Sequence, residues 1–389
     1  MLRRLTLGLF TLACAAAVAA CSSGNTTVPS SGGQPGLGPN FVTNTLYVTN
    51  TTQNAIEIYT PSPSANATPQ YQIGGSNTSL SGPQYLAFDA QKNLYATNFS
   101  AATGQSAVNI YATYATGNVL PLANIAFAQG VHPGGIAMIP NNGGFAVALT
   151  FPGGFFTSLV NIYGTFTNGV APFTASLAGS NTKLNNPIGV GIDKNKNIYV
   201  ANSGNGTVTV YAMPSPAPTP SGTPTPTPAP TPTATPPTPT PSPSPTPASA
   251  NNAPTATITC VPGAGMPSPC MVHPAGLTLD GSGNMYVTDP DSGVTPAIYI
   301  FTAAQVACAA APCALNLTPS RFISGGSTKL VDPTDVTVDS TGTIYVVDAG
   351  SGPNSSQLLI FSASANGNVA PTTAISLPTG TATGLALSP

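Results

Sequence analysis

The stretch AIYIF at residues 297–301 decides the fold, because close variants of it recur along the chain. Each variant alternates apolar residues with other residues and ends in Tyr or Phe, which is the pattern of a half-buried β-strand. The six stretches are AIEIY (55–59), AVNIY (107–111), LVNIY (159–163), TVTVY (207–211), AIYIF (297–301) and QLLIF (357–361). A spacing of roughly 50 residues, without helical periodicity around it, predicts the blades of a β-propeller.

One complete repeat unit reads as four strands separated by turns. The strands are PIGVGID (187–193), IYVAN (198–202), TVTVY (207–211) and TATIT (255–259). Short Lys, Asn, Gly and Ser stretches between the first three strands are turn signals. The sequence therefore predicts an all-β fold, a six-bladed β-propeller of four-stranded antiparallel blades.

The two ends of the chain supply the parts of one blade. The first repeat begins with NTLYVTN (44–50), which corresponds to a second strand, and the chain finishes with TGLAL (383–387), which corresponds to a first strand. Because a closed ring leaves no strand edge exposed, we expect these two segments to pair. The prediction is a single propeller over residues 41–389, with one blade built from both ends and five blades continuous in sequence.

The repeat resembles the NHL-repeat family of six-bladed propellers. The shared features are a Pro-x-Gly-hydrophobic start, an Asp before the first turn, and an aromatic-Val-small-Asn/Asp second strand. The Pro, the Asp before the first turn and the second strand occur at 187–202, 274–289, 333–348 and 83–98, with Asp335 in place of the Gly in the copy at 333, whereas the copy that starts at Pro133 has Pro140 instead of the Asp. The resemblance implies a fold and not an activity, because propellers host many functions.

The first 40 residues indicate export. Arg3 and Arg4 precede an apolar stretch at 5–20, as in a secretory signal peptide. VAAC (18–21) resembles a bacterial lipobox, which implies cleavage before Cys21 and a lipid on its thiol; the alternative is an ordinary signal with a coincidental cysteine. We expect a signal peptide at 1–20, a flexible tether at 21–40, and a lipid anchor that attaches the protein to a membrane of the cell envelope. Ser22 favours the outer membrane, on its periplasmic or surface face, if the cell has one.

Four further cysteines predict disulfides, because an even number remains in an exported protein. They are Cys260, Cys270, Cys308 and Cys313. Three pairings are possible. We favour the local pairs Cys260–Cys270 and Cys308–Cys313, because they place the fewest constraints on the fold. A zinc site is the alternative, but the chain lacks the paired C-x-x-C spacing of structural zinc sites.

The chain carries very little charge. Charged residues make up 5% of it and the net charge is −2, so no basic patch exists for nucleic acid or anionic lipid. A surface of Ser, Thr, Asn, Gln and Gly favours neutral partners such as glycans or other envelope proteins. We expect a monomer without a cofactor.

Residues 213–250 form a Pro-, Thr-, Ser- and Ala-rich segment. So many prolines remove the N–H groups that a strand ladder needs, and few apolar residues are available for a core. The segment lies between the third and fourth strands of the fourth blade. We therefore expect a disordered, extended insertion within that blade and not a linker between two domains.

Polar residues precede the first strands of four blades and are the best candidates for a binding site. His132, Asn186, His273 and Asp332 share this repeat position, and Asp335 replaces the family's Gly nearby. In propellers of this family these connections surround the mouth of the central channel, so the residues would form a rim able to hold a metal or a small ligand. The alternative is that each is a polar residue of a pre-proline turn.

The chain lacks most of the catalytic and metal-binding residues that propeller enzymes use. In the related gluconolactonase group, metal ligands occupy the x of Pro-x-Gly, where this chain has Gln84, Gly134, Ile188, Ala275 and Thr334. The resemblance therefore implies no metal site and no lactonase base at these positions. We expect a non-catalytic binding or scaffolding propeller for a glycan, peptide or protein. The alternatives are a diverged hydrolase or lyase that uses the rim, and a purely structural surface protein.

Overall fold

The computed structural model describes residues 42–151, 158–214, 248–290, 295–352, 354–377 and 380–389. Residues 42–389 form one compact unit. The expected signal peptide, the tether with Cys21 and most of the 213–250 segment lie outside the described residues.

The described strands form six sheets, one for each predicted blade. Blade 1 contains β26 (Leu385–Leu387), β1 (Leu46–Asn50), β2 (Ala55–Tyr59) and β3 (Tyr71–Gly74); blade 2 contains β4 (Pro83–Phe88), β5 (Leu94–Phe99), β6 (Ser106–Tyr111) and β7 (Ala123–Ala126); blade 3 contains β8 (His132–Met138), β9 (Phe145–Thr150), β10 (Ser158–Tyr163) and β11 (Phe173–Ala178). Blade 4 contains β12 (Pro187–Ile192), β13 (Ile198–Asn202), β14 (Thr207–Tyr211) and β16 (Ala256–Cys260); blade 5 contains β17 (Leu277–Leu279), β18 (Met285–Asp289), β19 (Ala297–Phe301) and β21 (Arg321–Ser324); blade 6 contains β22 (Pro333–Val338), β23 (Ile344–Asp348), β24 (Gln357–Phe361) and β25 (Thr373–Ser376).

The ring is closed by the two ends of the chain, as predicted. Antiparallel pairing joins β26 to β1, with Leu387 opposite Leu46 and Leu385 opposite Val48. The innermost strands of the six blades contact one another in the circular order β26, β4, β8, β12, β17, β22 and β26. They surround the central channel, so a residue at the start of each innermost strand lies near its mouth.

Two blades carry a fifth strand that the repeat does not predict. Ala248–Ala250 forms β15, which pairs in parallel with β11, and Cys313–Leu317 forms β20, which pairs in parallel with β16. The expectation of disorder over all of 213–250 is therefore wrong for its last three residues. They contain no proline and so retain the N–H groups that can pair with the open outer edge of β11.

The repeated aromatic and Asp positions have local structural roles. The hydroxyl of Tyr111, at the end of β6, donates a 2.5 Å hydrogen bond to the carbonyl of Thr78 in the preceding connection, and that of Tyr211 donates to the carbonyl of Thr182. Asp193, at the first turn of blade 4, accepts hydrogen bonds from the N–H groups of Asn195 and Asn197, each at 2.8 Å. The turn function predicted for such Asp residues is explained by these bonds.

Both local disulfides are formed, as predicted. Cys260 at the end of β16 is bonded to Cys270, and Cys308 is bonded to Cys313. The first bond ties the fourth strand of blade 4 to the connection that leads into blade 5. A short helix, α1 (Ala303–Val306), precedes the second bond, and single 3-10 turns occur at Ser180–Thr182 and Gly326–Thr328. Within the described residues, no helix has the length and apolar character needed to cross a membrane.

Glycines at the start of the innermost strands let neighbouring blades approach each other. A Cβ on Gly189 of β12 would lie 2.3 Å from the carbonyl oxygen of Ala275, and one on Gly384 would lie 2.0 Å from that of Gln84. Both obstructing atoms belong to the backbone, which cannot rotate away. The Gly of the Pro-x-Gly pattern is therefore explained by packing around the channel.

We expect Gly189→Ala to lower the free energy of unfolding by about 2 kcal/mol, because the methyl group forces β12 and β17 apart. Gly281→Ala is the matched control, since a Cβ there meets no atom within 4 Å. It should change stability by less than about 0.5 kcal/mol. Urea unfolding followed by circular dichroism measures both values, and equal stabilities of the two variants would contradict the packing argument.

Candidate functional site

Side chains at the ends of the second strands hold the connections that form the channel mouth. Asp289 at the end of β18 accepts hydrogen bonds from the N–H groups of Val272, at 2.7 Å, and His273, at 3.0 Å. Asp348 at the end of β23 accepts from the N–H groups of Val331, at 2.7 Å, and Asp332, at 3.2 Å. These bonds fix the backbone of the predicted rim residues just before the proline of each innermost strand.

The four predicted rim residues lie on the connections into blades 3 to 6. His132 is half-buried and its ring packs on that of Phe99, with 3.7 Å between the centroids. Asn186 is exposed in a left-handed conformation (φ 48°), and its N–H donates to Ser158 Oγ at 3.0 Å. His273 is exposed and Asp332 is half-buried.

The rim residues are not assembled as a metal site. Among the described residues, no group of three or more His, Cys, Asp and Glu side chains is placed to hold a metal ion. Burial lowers the pKa of His132, which favours its neutral form at neutral pH, and burial raises the pKa of Asp332. The contacts of His132 with Phe99 in blade 2 and of the Asn186 N–H with Ser158 in blade 3 tie these residues separately to neighbouring parts of the ring.

Asp335 occupies a different place from the other predicted residues, inside the central channel. Its Oδ2 accepts a hydrogen bond from the N–H of Leu385 at 3.0 Å, and its Oδ1 accepts from the N–H of Val336 at 2.9 Å. Burial raises the pKa of Asp335 to about 7, although both hydrogen bonds act in the opposite direction. The bond to Leu385 joins blade 6 to the strand that closes the ring.

Tyr85 is a second channel residue, which the sequence analysis missed. It follows Pro83 in blade 2 as Asp335 follows Pro333 in blade 6, so both replace the Gly of the Pro-x-Gly pattern. Burial raises the pKa of Tyr85, and the negative charges of Asp335 and Asp332 raise it further. The departure from Gly was the available signal, because large side chains at this position need space in the channel.

The channel encloses a cavity of about 280 Å³ around these two side chains. Its wall is formed by the innermost strands of all six blades, and Tyr85 and Asp335 are the ionisable side chains in that wall. Further along the channel the wall includes the apolar side chains of Phe88, Met138 and Leu387 together with Thr278 and Thr337. The cavity therefore combines one acid and one phenol with several apolar side chains.

A larger concave region lies on the same face as the mouth, formed by blades 1 and 2 and the connection from blade 2 into blade 3. Two cavities of about 580 Å³ and about 420 Å³ adjoin each other, since Ser81 and Ser100 line both. We call them together the neutral groove, whose wall comprises Thr51, Thr52, Asn54, Ser79, Leu80, Ser81, Gly82, Gln84, Asn98, Phe99, Ser100, Ala101, Ala102, Gln105, Ser106, Ala107, Asn124, Ala126, Phe127, Gln129 and Thr383. None of these residues is charged.

The neutral groove offers hydrogen-bonding groups that are not used inside the protein. Ser106 is 5% exposed, and its buried Oγ has no hydrogen-bond partner among the described residues. A buried unpaired hydroxyl is costly in a folded protein, which marks the position as unusual. Phe99 and Phe127 add two half-buried aromatic rings, one near the channel mouth and one at the outer end.

Comparison with known proteins supports the fold. The NHL repeat family matches the chain over residues 184–211, and no curated protein matches it. Among solved structures, a Bacteroides caccae protein of unknown function is similar at a TM-score of 0.54 and 10% identity, over 89% of this chain and 99% of that chain. A Lactobacillus plantarum protein is similar at a TM-score of 0.46 and 12% identity, over 89% and 99%. A catalytically inactive virginiamycin B lyase from Staphylococcus aureus, solved with quinupristin, is similar at 0.41 and 10%, over 82% of each chain. The likeness to the Bacteroides caccae protein, at 10% identity, concerns the fold alone. With the NHL repeat match and the closed ring of blades, it supports the description of this chain as an NHL-like six-bladed β-propeller.

Proposed function

We propose that this protein is a lipid-anchored propeller of the cell envelope that binds a neutral glycan in the neutral groove without catalysis. The observation that carries the proposal is a groove wall of hydroxyl, amide and aromatic groups without a charged side chain. Such groups match sugar hydroxyls by hydrogen bonding and sugar C–H faces by aromatic contact. The signal-like residues 1–20 and Cys21 support the anchor, and two disulfides suit an oxidising compartment.

The buried hydroxyl of Ser106 favours a ligand over a bare surface. Its Oγ finds no partner within the described protein, so the folded chain gains nothing from keeping a hydroxyl there. Gln84 and Gln105 line the same groove, and no hydrogen bond of their side-chain amides joins them to other described residues. A ligand rich in hydroxyl groups would supply partners for Gln84 and Gln105 directly, and for Ser106 once a small side-chain rearrangement exposes its Oγ.

We expect the purified protein to bind one or more uncharged oligosaccharides of an envelope glycan array saturably. The affinity should be nearly equal at 0.1 M and 1 M NaCl, because salt screens only charged interactions. Phe127→Ala should weaken binding about tenfold, since an aromatic contact contributes about 1 kcal/mol. Phe173→Ala is the matched control, because Phe173 is 39% exposed on β11 and lies outside the groove.

Ser106→Ala separates binding from stability. Removing an unpaired buried hydroxyl should leave the free energy of unfolding unchanged or raise it by about 1 kcal/mol, while glycan affinity falls. Isothermal titration and thermal unfolding measure the two effects on the same sample. The proposal fails if no neutral glycan binds saturably, or if Phe127→Ala and Ser106→Ala both bind as the wild type does.

A further inference from the structure

The central channel contains two side chains that the packing of the ring does not require. Elsewhere around the channel a Gly stands at the corresponding position, and a Cβ on Gly276 of β17 would lie only 2.5 Å from Cα of Asp335. Blades 2 and 6 instead present Tyr85 and Asp335. They flank Gly384 of blade 1, where a Cβ would lie 2.7 Å from Cα of Tyr85. Because Gly384 has no side chain, blades 1 and 2 approach closely, and Tyr85 and Asp335 both line the cavity from the blades on either side of blade 1.

The Asp335 carboxyl group and the Tyr85 hydroxyl both keep hydrogen-bonding positions that no other described residue occupies. The carboxyl group of Asp335 accepts one backbone hydrogen bond at each oxygen, which leaves a second lone pair on each. The hydroxyl of Tyr85 has no hydrogen-bond partner among the residues that the structure describes. Lys and Arg are also missing from the cavity wall, so nothing in the wall neutralises an ionised Asp335.

The far end of the cavity suits a short apolar group. At about 3.3 Å per residue, Phe88 lies about 10 Å along β4 from Tyr85, and Leu387 lies about 7 Å along β26 from Leu385. Met138 and Leu279 complete the apolar wall. The volume of about 280 Å³ lies close to the lower end of ligand pockets, roughly 300–1,000 Å³, and admits only a small molecule.

We propose that the central channel binds a small amphiphilic primary amine in its ammonium form, with the charged head at Asp335 and Tyr85 and the hydrocarbon part among Phe88, Met138 and Leu387. The ammonium donates hydrogen bonds to the free lone pairs of the Asp335 carboxylate and to the Tyr85 hydroxyl oxygen. The site is separate from the neutral groove, since the two walls share no residue.

The charge of Asp335 makes this binding depend on pH. Its pKa is raised to about 7 by burial, against the hydrogen bonds from the N–H groups of Leu385 and Val336. The ionisable groups nearby are Tyr85 on β4, whose own pKa is raised by the charges of Asp335 and Asp332, and Asp332 on the connection before β22. β17 and β26 contribute Gly276 and Leu385, which do not ionise. An alkylammonium ion keeps its charge up to about pH 10, as a lysine side chain does. Amine affinity should therefore rise between pH 5.5 and 8 as the carboxyl group ionises.

The test compares n-hexylamine with 1-hexanol, which has the same hydrocarbon chain without the charge. Titration calorimetry of the purified full-length protein at pH 8 should give saturable hexylamine binding at least tenfold tighter than hexanol binding. Asp335→Asn should remove that difference, and Tyr85→Phe should weaken hexylamine binding about threefold. The wild-type protein itself provides the second measurement, a rise in hexylamine affinity between pH 5.5 and 8 with constant hexanol affinity.

Three results would overturn the proposal: no saturable hexylamine binding, equal affinities for the two compounds, or unchanged hexylamine binding in folded Asp335→Asn protein. Glycan binding in the neutral groove provides an independent readout, because Asp335→Asn leaves that wall intact. Loss of glycan binding with retained amine binding would contradict the proposed function alone. The reverse result would contradict the channel site alone.

Discussion

Removal of residues 383–389 is expected to abolish cooperative folding of the propeller. The deletion takes away β26, in which Leu385 is 3% exposed and Ala386 is 7% exposed, and the whole ladder to β1. The lost burial and hydrogen bonds together are worth on the order of 8 kcal/mol. A loss of this size is comparable to the whole stability of a typical domain, about 5–15 kcal/mol. Thermal unfolding followed by near-UV circular dichroism should show no sharp transition.

A circular permutant tests whether folding depends on the order of the segments along the chain or only on the pairing of β26 with β1. The new chain starts at Gly380, joins Pro389 to Val42 through an Asn-Gly turn, and ends at Leu377. The N–H of Asn44 lies 2.9 Å from the carbonyl oxygen of Ser388, so a short turn can make this connection. We expect the permutant to melt cooperatively. A deletion variant that melts within a few degrees of the intact protein would show that the ring does not depend on β26.

Stability is expected to fall by about 3 kcal/mol between pH 5 and pH 8 because of Asp335 alone. Burial raises the pKa of Asp335 from 3.8 to about 7, so the folded protein holds a proton in this range that the unfolded chain has already released. The stabilisation that protonated Asp335 contributes is at its maximum below pH 4 and is lost as the pH rises through 7. Urea unfolding at both pH values should show the loss in the wild type, and Asp335→Asn should remove it.

Other carboxyl groups titrate in both proteins. The difference between the pH dependence of the unfolding free energy in wild type and in Asp335→Asn therefore reports on Asp335 alone. Burial also raises the pKa values of Asp332 and Asp348. Asp339→Asn is the control. Partial burial acts to raise the pKa of Asp339, but hydrogen bonds from Thr341 and Thr343 outweigh this effect and lower that pKa. That carboxylate stays ionised from pH 5 to 8, so its removal should leave the pH dependence intact. Parallel pH curves for wild type and Asp335→Asn would contradict the assignment.

The blades were predictable because their signals are local. A strand such as 207–211 carries its alternation and its terminal Tyr within five residues, and the turn at Asp193 is complete by Asn197. The disulfides were predictable for the same reason, since Cys260 and Cys270 are close in sequence. The fifth strands were not, because β15 and β20 add to edges that a repeat pattern does not describe.

The candidate sites were only partly predictable. The sequence marks Asp335 as a departure from Gly, but it does not reveal that Tyr85 stands on the other side of Gly384. The shared repeat position of His132 and His273 was visible in the sequence, but their contacts were not: the ring of His132 packs on Phe99, and Asp289 holds the N–H of His273. The neutral groove has no motif, because its wall combines neutral residues of blades 1 and 2 and of the connection into blade 3, none of which forms a pattern by itself.

Sequence alone therefore determined the number of blades, the strand types and the way the ends meet, since each of these follows from short-range periodicity repeated along one chain. Tertiary structure alone decided which side chains share a space. Tyr85 and Asp335 influence each other although 250 positions separate them, because ring closure brings blades 2 and 6 to either side of blade 1. Desolvation in that shared channel, and not any property of the local sequence, raises the pKa of Asp335 to about 7.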